Sequence, residues 1–513
     1  MNINQRKAGV ILAYLSIIVS ALVNIINVPL FLHFIGVSEY GIYQTIGSLI
    51  AYFSVLDFGL PSTIIVFYSR YKTSGDKKNM ENILAICSRI YVAITIAILV
   101  VGVSLYFSLD SLYVNSLSKS QLLNAKQVYI VFLINVACSL PFQILNAILT
   151  AYERFVFLRG TVIFLTIFQA LVMVPVVLKF PSALSIVIVQ TIFNIIMVAA
   201  RYFYCFKILK VKVKLHFFDK NLFKSILKYS LFIFLNVIAD QLFWHSNKVI
   251  LSIFSSPESV AAYSIVFQIA YYYMILSTAI TGVFLPKITS MVSEGSSNKA
   301  FSEMFLKVGR IQFILLSCVL TGFILFGKQF IYLWSLGKTG FECSYLMTLM
   351  IIIPLTLDLI QGLAQTILQA VNKFYFRATM FLLIDALNII IVIPIAKLYG
   401  GVGCALVTGL NYLTFIIILN IFYVKSLKLN INSFWQQILK ISIPTLCAFL
   451  IGTSLNKIKI TNSVLEISIK ILLYLIIYTA IAWLCVMNTY EKELLKKPLA
   501  KIKNTLSSIY KKL

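Results

Sequence analysis

Apolar stretches of about twenty or more residues, separated by short polar segments, run the length of this chain. A bilayer core about 30 Å thick needs about 20 apolar residues in a helix. Fourteen stretches meet that length: 8–32, 41–68, 82–107, 127–151, 156–178 and 182–206, then 225–253, 260–286, 309–327, 345–371, 376–396 and 402–424, and last 438–454 and 468–488. The pattern predicts an all-α integral membrane protein of about fourteen transmembrane helices. The first stretch follows Met1–Val10 and reaches Ile35 without a small-residue cleavage site, so it reads as a retained span. The longest connections, 207–224 and the segments around 108–126 and 288–308, are too short to hold a soluble catalytic domain.

Local sequence recurs along the chain at a nearly constant offset. Ala151–Phe155 (AYERF) matches Ala370–Phe374 (AVNKF), Arg159 matches Arg377, Pro175 matches Pro394, and Lys179 falls near Lys397. Gly36–Tyr43 (GVSEYGIY) likewise falls on Ser256–Tyr263. Six spans per copy bring both copies in from the same side, which makes them parallel repeats about an axis along the membrane normal. The expected organisation is a first lobe over 1–206, a basic linker over 207–224, a second lobe over 225–426, spans thirteen and fourteen over 427–490, and a basic tail over 491–513.

Composition sharpens this picture. Hydrophobic residues make up 60% of the 513 and charged residues 12%, with mean hydropathy +0.95, where soluble domains run about 25% charged. The net charge of +26 does not point to nucleic acid, because the basic residues sit in short clusters between spans with no aromatic-interleaved groove or zinc pattern. With both termini cytoplasmic, 32 of the 43 Lys and Arg fall on inner segments and nine on outer ones. That is the positive-inside bias, and it requires an even number of spans. It places 70–81, 207–224 and 489–513 in the cytoplasm and 108–126 and 328–343 outside. The eight cysteines are scattered singly and read as small core residues. Three separated histidines, at 33, 216 and 245, give no metal site. Gly322–Lys328 has the spacing of a phosphate-binding loop, but Gln329 replaces its Ser or Thr and an apolar helix surrounds it. No cofactor or nucleotide-binding domain is expected, so the driving energy must come from an ion gradient, the membrane potential or the substrate gradient.

Function then rests on the polar groups inside spans: Asp57, Arg89, Asp240, Lys248, Asp358 and Asp385. Each costs about 2.5–3.5 kcal/mol at mid-bilayer on insertion scales, and such groups face a bundle interior or an aqueous cavity. For Arg89 and Asp358, a structural pair or a snorkelling side chain is as good a reading as a cavity-facing role. In span 7, Asn236, Asp240, Asn247 and Lys248 share one helix face. Span 1 carries the stripe Ser16, Ser20, Asn24 and Asn27, and the repeat offset maps it onto 236, 240, 244 and 247. Two such stripes suit either a central aqueous cavity or hydrogen-bonded packing helices.

GVSEYGIY at Gly36–Tyr43, LDFGL at Leu56–Leu60, the AYERF turn and the passage from Asp240 to Tyr263 resemble the Wzx-type polysaccharide repeat-unit flippases of the multidrug/oligosaccharidyl-lipid/polysaccharide exporter superfamily. The resemblance covers nearly the whole chain. It implies two six-helix lobes, alternating access, and transport of an undecaprenyl-diphosphate-linked oligosaccharide from the cytoplasmic to the outer leaflet of a bacterial plasma (inner) membrane. Such transport serves O-antigen, lipopolysaccharide or capsule biosynthesis, alongside other polysaccharide-assembly membrane proteins. Lys248, Asn24, Asn27, Asn247, Arg89 and Asp57 are the expected lining of the substrate cavity. Related peptidoglycan-precursor flippases hold sodium between spans 7, 11 and 12, and the matching positions are Asp240, Asp385, Asn388, Thr408 and Asn411. Phe381 stands where a second acid would precede Asp385, so Na+ coupling, H+ coupling or neither stay open. An ion-coupled multidrug exporter of the same superfamily is the runner-up. A membrane-embedded glycan polymerase or glycosyltransferase would carry a large outer loop with acids or arginines, which 108–126 lacks.

Overall fold

The computed structural model describes residues 5–217, 220–371 and 373–493. It is helical, with no strand among those residues. In chain order the helices are α1 (Gln5–Phe34), α2 (Gly36–Ala51), α3 (Leu60–Ser74), α4 (Lys77–Leu112), α5 (Lys119–Ser139), α6 (Gln143–Ala151), α7 (Phe155–Lys179) and α8 (Ala183–Phe203). There follow α9 (Lys220–Phe254), α10 (Pro257–Ser293), α11 (Asn298–Trp334), α12 (Ser344–Leu359), α13 (Gly362–Ala370), α14 (Phe374–Leu427), α15 (Ile431–Thr453) and α16 (Ser463–Ile481).

Among the described residues, eleven segments are long and apolar enough to cross a membrane, or twelve when the bent pair α12–α13 counts as one. α14 has 54 residues, about 80 Å at 1.5 Å per residue, which is two crossings. Gly400 divides it, at φ 55° and ψ −140°, a conformation essentially confined to glycine. α9, of 35 residues, is a further long helix beyond those segments. The C-terminal tail lies mostly outside the described residues.

Breaks within spans are what periodicity could not reveal. Span 2 stops at a 3₁₀ turn over Tyr52–Asp57 and restarts at Leu60 after two left-handed residues, Phe58 (φ 52°) and Gly59 (φ 65°). The LDFGL stretch is therefore a helix break, with Pro61 opening the next helix, where its missing N–H costs nothing. Proline leaves its mark in α1 too. Pro29 cannot bond the carbonyl of Ile25, and the indole Nε1–H of Trp334 donates to that oxygen instead, at 2.8 Å. Gly322–Lys328 lies wholly inside α11, so it cannot wrap a phosphate.

The chain forms two compact units. The first comprises residues 1–267, 334–340 and 378–407; the second comprises 268–333, 341–377 and 408–513. In the first, Ile46, Ile64, Ile83, Leu84, Ile148 and Leu149 are fully buried members of a core that joins α2 to α6. In the second, Phe305 stacks on Phe434 with ring centroids 4.5 Å apart. All eight cysteines are free. Cys87, Cys205 and Cys404 are buried as expected, whereas Cys138, Cys343, Cys447 and Cys485 are exposed. The core reading fails for those four: Cys138, Cys447 and Cys485 lie in apolar helical segments whose outer face is as apolar as the packed one, and Cys343 precedes α12 in the segment expected outside.

Candidate functional site

In the first unit, three helices converge on a polar layer. Asn388 of α14 donates its Nδ2 to Asn247 Oδ1 of α9 at 3.2 Å. Asn247 Nδ2 donates in turn to the Tyr263 hydroxyl of α10 at 2.9 Å. All three are buried. Interhelical bonds of this kind contribute about 0.6 kcal/mol each in a membrane, at most about 1.7, so the relay fixes geometry more than it supplies stability. Asp385 stands one turn before Asn388 and is also buried. Its Oδ2 has no hydrogen-bond partner among the described residues, and its charge is felt by Tyr52 and interacts with that of Asp240. Asp240 itself is exposed. Two carboxylates near enough to interact repel each other unless a proton or cation separates them.

Aromatic side chains wall this layer. Phe381 occupies the turn before Asp385 and packs against Phe243 at 5.6 Å, which in turn meets Phe267 at 5.8 Å. The second acid missing from the sequence is thus replaced by a ring inside an aromatic cluster. Lys248 is half-buried beside Asn247 and makes no ion pair among the described residues. Its charge is felt by His245, whose Nδ1 is buried without a hydrogen-bond partner among those residues.

The other candidates scatter. Asp57 ends the 3₁₀ turn with Oδ1 buried, and Tyr91 of α4 is its polar neighbour. Asn24 is exposed and donates back to its own helix, to Ser20 O at 2.8 Å, while Asn27 is half-buried. Ser16 is buried and bonds Ala13 O. Arg89 is exposed on α4. Thr408, buried, and Asn411, half-buried, belong to the second unit. The side chain of Asn236 lies outside the described residues. Asp358 proves to be a structural partner: Arg377 Nη2 reaches its Oδ2 at 3.0 Å, and Gln365 Nε2 approaches at 3.3 Å. Tyr263 stood in the sequence only as part of the repeat and of the family resemblance and His245 only as a lone histidine, and neither was expected in the site, because a tyrosine or a lone histidine in an apolar run carries no signal of its role. No cluster of metal-ligating side chains occurs among the described residues.

These spans, breaks and buried polar layers define a multi-pass helical membrane protein, and its fold is like that of solved lipid II flippase and multidrug transporter structures. The chain belongs to the family described as polysaccharide biosynthesis protein, whose model matches residues 7–292. Its structure is similar to the lipid II flippase MurJ in an inward closed conformation, with TM-score 0.72 and 17% identity over 92% of this chain and 98% of that one. It is also similar to an inward-facing multidrug resistance MATE transporter of the MOP superfamily, with TM-score 0.65 and 12% identity over 80% and 95%. A MOP superfamily transporter from Pyrococcus furiosus, described as having a binding pocket of reverse polarity, matches with TM-score 0.53 and 12% identity over 82% and 96%. No curated protein matches the sequence.

Proposed function

We propose that this protein is a flippase that carries an undecaprenyl-diphosphate-linked oligosaccharide repeat unit from the cytoplasmic to the outer leaflet of a bacterial plasma membrane, by alternating access. The observation that carries the reading is Lys248, a half-buried cation at membrane depth, next to the Asn247–Asn388–Tyr263 relay and without an ion pair among the described residues. A diphosphate is the ligand that an ammonium flanked by amide and hydroxyl donors suits, and membership of a polysaccharide-biosynthesis family supports a glycan as cargo. The polyprenyl tail can stay in lipid while the sugar head crosses in water. Asp385 and Asp240 supply the second half of the proposal. A proton or sodium ion taken up between them relieves their repulsion, and its release biases the transporter toward the opposite state.

The test is a leaflet-exposure assay on the reconstituted protein with lipid-linked oligosaccharide. Lys248→Ala should cut flipping roughly tenfold to a hundredfold, as expected for loss of one charge-assisted contact, while Lys248→Arg retains part of it. Asp385→Asn should keep substrate binding but abolish the dependence of transport on the ion gradient. Full flipping by a well-folded Lys248→Ala variant would refute the assignment. Export of a cationic dye that depends on Asp385 would favour the multidrug reading suggested by the MATE fold.

A further inference from the structure

Near the start of α7 and the end of α8 lies a half-open apolar groove of about 450 Å³ in the first unit. Phe157, Gly160, Phe164, Leu165, Ile196 and Ala200 line it. Its outer walls are bare, with Phe164 58% and Ile196 44% exposed. The groove exists because two small residues face it, and a Cβ built on Gly160 would meet no atom within 4 Å.

Immediately beside those two small residues stand two arginines. Arg159 precedes Gly160 and Arg201 follows Ala200, and the pair are near enough for their like charges to interact. Neither has an ion pair among the described residues, and Arg201 Nε is buried with no hydrogen-bond partner there. The repeat makes this telling. Arg377, the match to Arg159 in the second copy, is neutralised by Asp358, whereas the first copy has Ser139 and Leu140 where that acid would fall. Arg159 is exposed and Arg201 half-buried, and two like-charged guanidinium groups close enough to interact at the end of a membrane helix pair favour an anion between them.

We infer that this groove is a binding site for an anionic phospholipid, its phosphate held between Arg159 and Arg201 and one acyl chain laid along α7 and α8. Charge complementarity selects the headgroup, and the apolar floor that begins at Gly160 selects a lipid over a soluble anion. Basic pockets between spans recognise anionic headgroups in this manner. The site is separate from the polar layer of α9, α10 and α14, so it does not depend on what that layer transports.

Native mass spectrometry of the full-length protein in detergent, titrated with palmitoyl-oleoyl phosphatidylglycerol or phosphatidylcholine, tests it. The first phosphatidylglycerol should bind about tenfold more tightly than phosphatidylcholine, the preference expected from two arginines at the membrane surface. The double variant Arg159→Gln, Arg201→Gln should lose that preference, and Arg159→Lys with Arg201→Lys should keep most of it. Gly160→Phe, which leaves both charges and fills the floor, should also lose the tight site. Variants are compared only where size-exclusion profile and melting temperature match the parent. A preference unchanged in the glutamine variant or in Gly160→Phe overturns the inference, as does displacement of the lipid by an equal concentration of inorganic phosphate.

Discussion

The two copies of the internal repeat break the same span in the same place and stabilise the break by opposite means. In the first copy, α5 ends, a 3₁₀ turn over Leu140–Phe142 intervenes, and the short α6 follows before α7 begins at Phe155. In the second, α12 ends, Ile360 and Gln361 intervene, and α13, equal in length to α6, follows before α14 begins at Phe374. Around the first break the polar groups are neutral: Asn135 donates to Thr191 at 3.0 Å and accepts from Asn194 at 3.1 Å. Around the second they are charged, with the buried Asp358–Arg377 pair and Arg377 5.2 Å over the ring of Phe415. A shared backbone design thus does not dictate shared electrostatics, and the copies are free to differ in how they respond to mutation.

That contrast predicts a large asymmetry. Removing one member of a buried ion pair costs about 3–5 kcal/mol, because the other charge is left stranded, whereas an interhelical hydrogen bond in a membrane contributes about 0.6 kcal/mol. Arg377→Met should lower thermal stability far more than Asn135→Ala, and the double change Asp358→Leu with Arg377→Met should restore most of the loss. Melting curves of the purified variants, read by size-exclusion fluorescence, would show it. Equal shifts for Arg377→Met and Asn135→Ala would break the comparison.

A smaller effect follows from span 2 against span 8. The first copy breaks at Phe58 and Gly59, while α10 runs unbroken through Thr278 and Ala279, their matches under the repeat offset. Gly59 sits at φ 65°, where a Cβ costs roughly 1–2 kcal/mol. Gly59→Ala should therefore destabilise by about that amount, whereas Ala279→Gly should cost no more than about 1 kcal/mol, the helix penalty of glycine. The same melting assay separates them, and a neutral Gly59→Ala would mean that the break is not held by the left-handed residue.

Much of this fold was legible in the chain. The long apolar helices and the AYERF and AVNKF turns follow from apolar length and recurring residues, because a membrane helix must satisfy its backbone internally and announces itself by length. The breaks at Leu140–Phe142 and Ile360–Gln361 were less so, since apolar residues surround each of them and hydropathy does not change across a kink, whereas the division at Gly400 falls between the expected spans 376–396 and 402–424. The polar layer was half legible. Asn247, Asn388, Asp240 and Asp385 stood out as polar residues in apolar runs, but which of them meet depends on helix rotation. Tyr263 looked like one of 28 tyrosines until its hydroxyl was seen to close the relay.

The finest difference between the copies lies outside the spans, at the helix starts that follow spans 2 and 8. Asp76 caps α4, accepting from Asn79 N at 3.0 Å and Asn79 Nδ2 at 2.6 Å. At the matching place in the second copy, Ser297 caps α11, accepting from Ala300 N at 3.3 Å. One cap titrates and the other does not. The hydrogen bonds from Asn79 hold the Asp76 carboxyl below its ordinary value, so its stabilising effect is complete above the unfolded pKa of about 3.9 and disappears as pH falls through the lower folded value. Asp76→Ser would give the first copy the second copy's cap. Aspartate and serine are near-equal caps, so the variant should match the parent at pH 7. On acidification the parent should lose stability more steeply below about pH 4, and the variant should lack that component. Melting temperatures taken from pH 7 to pH 3 would measure the difference. Parallel curves for parent and variant throughout would show that the carboxylate caps α4 no better than a hydroxyl and that the two copies begin these helices alike.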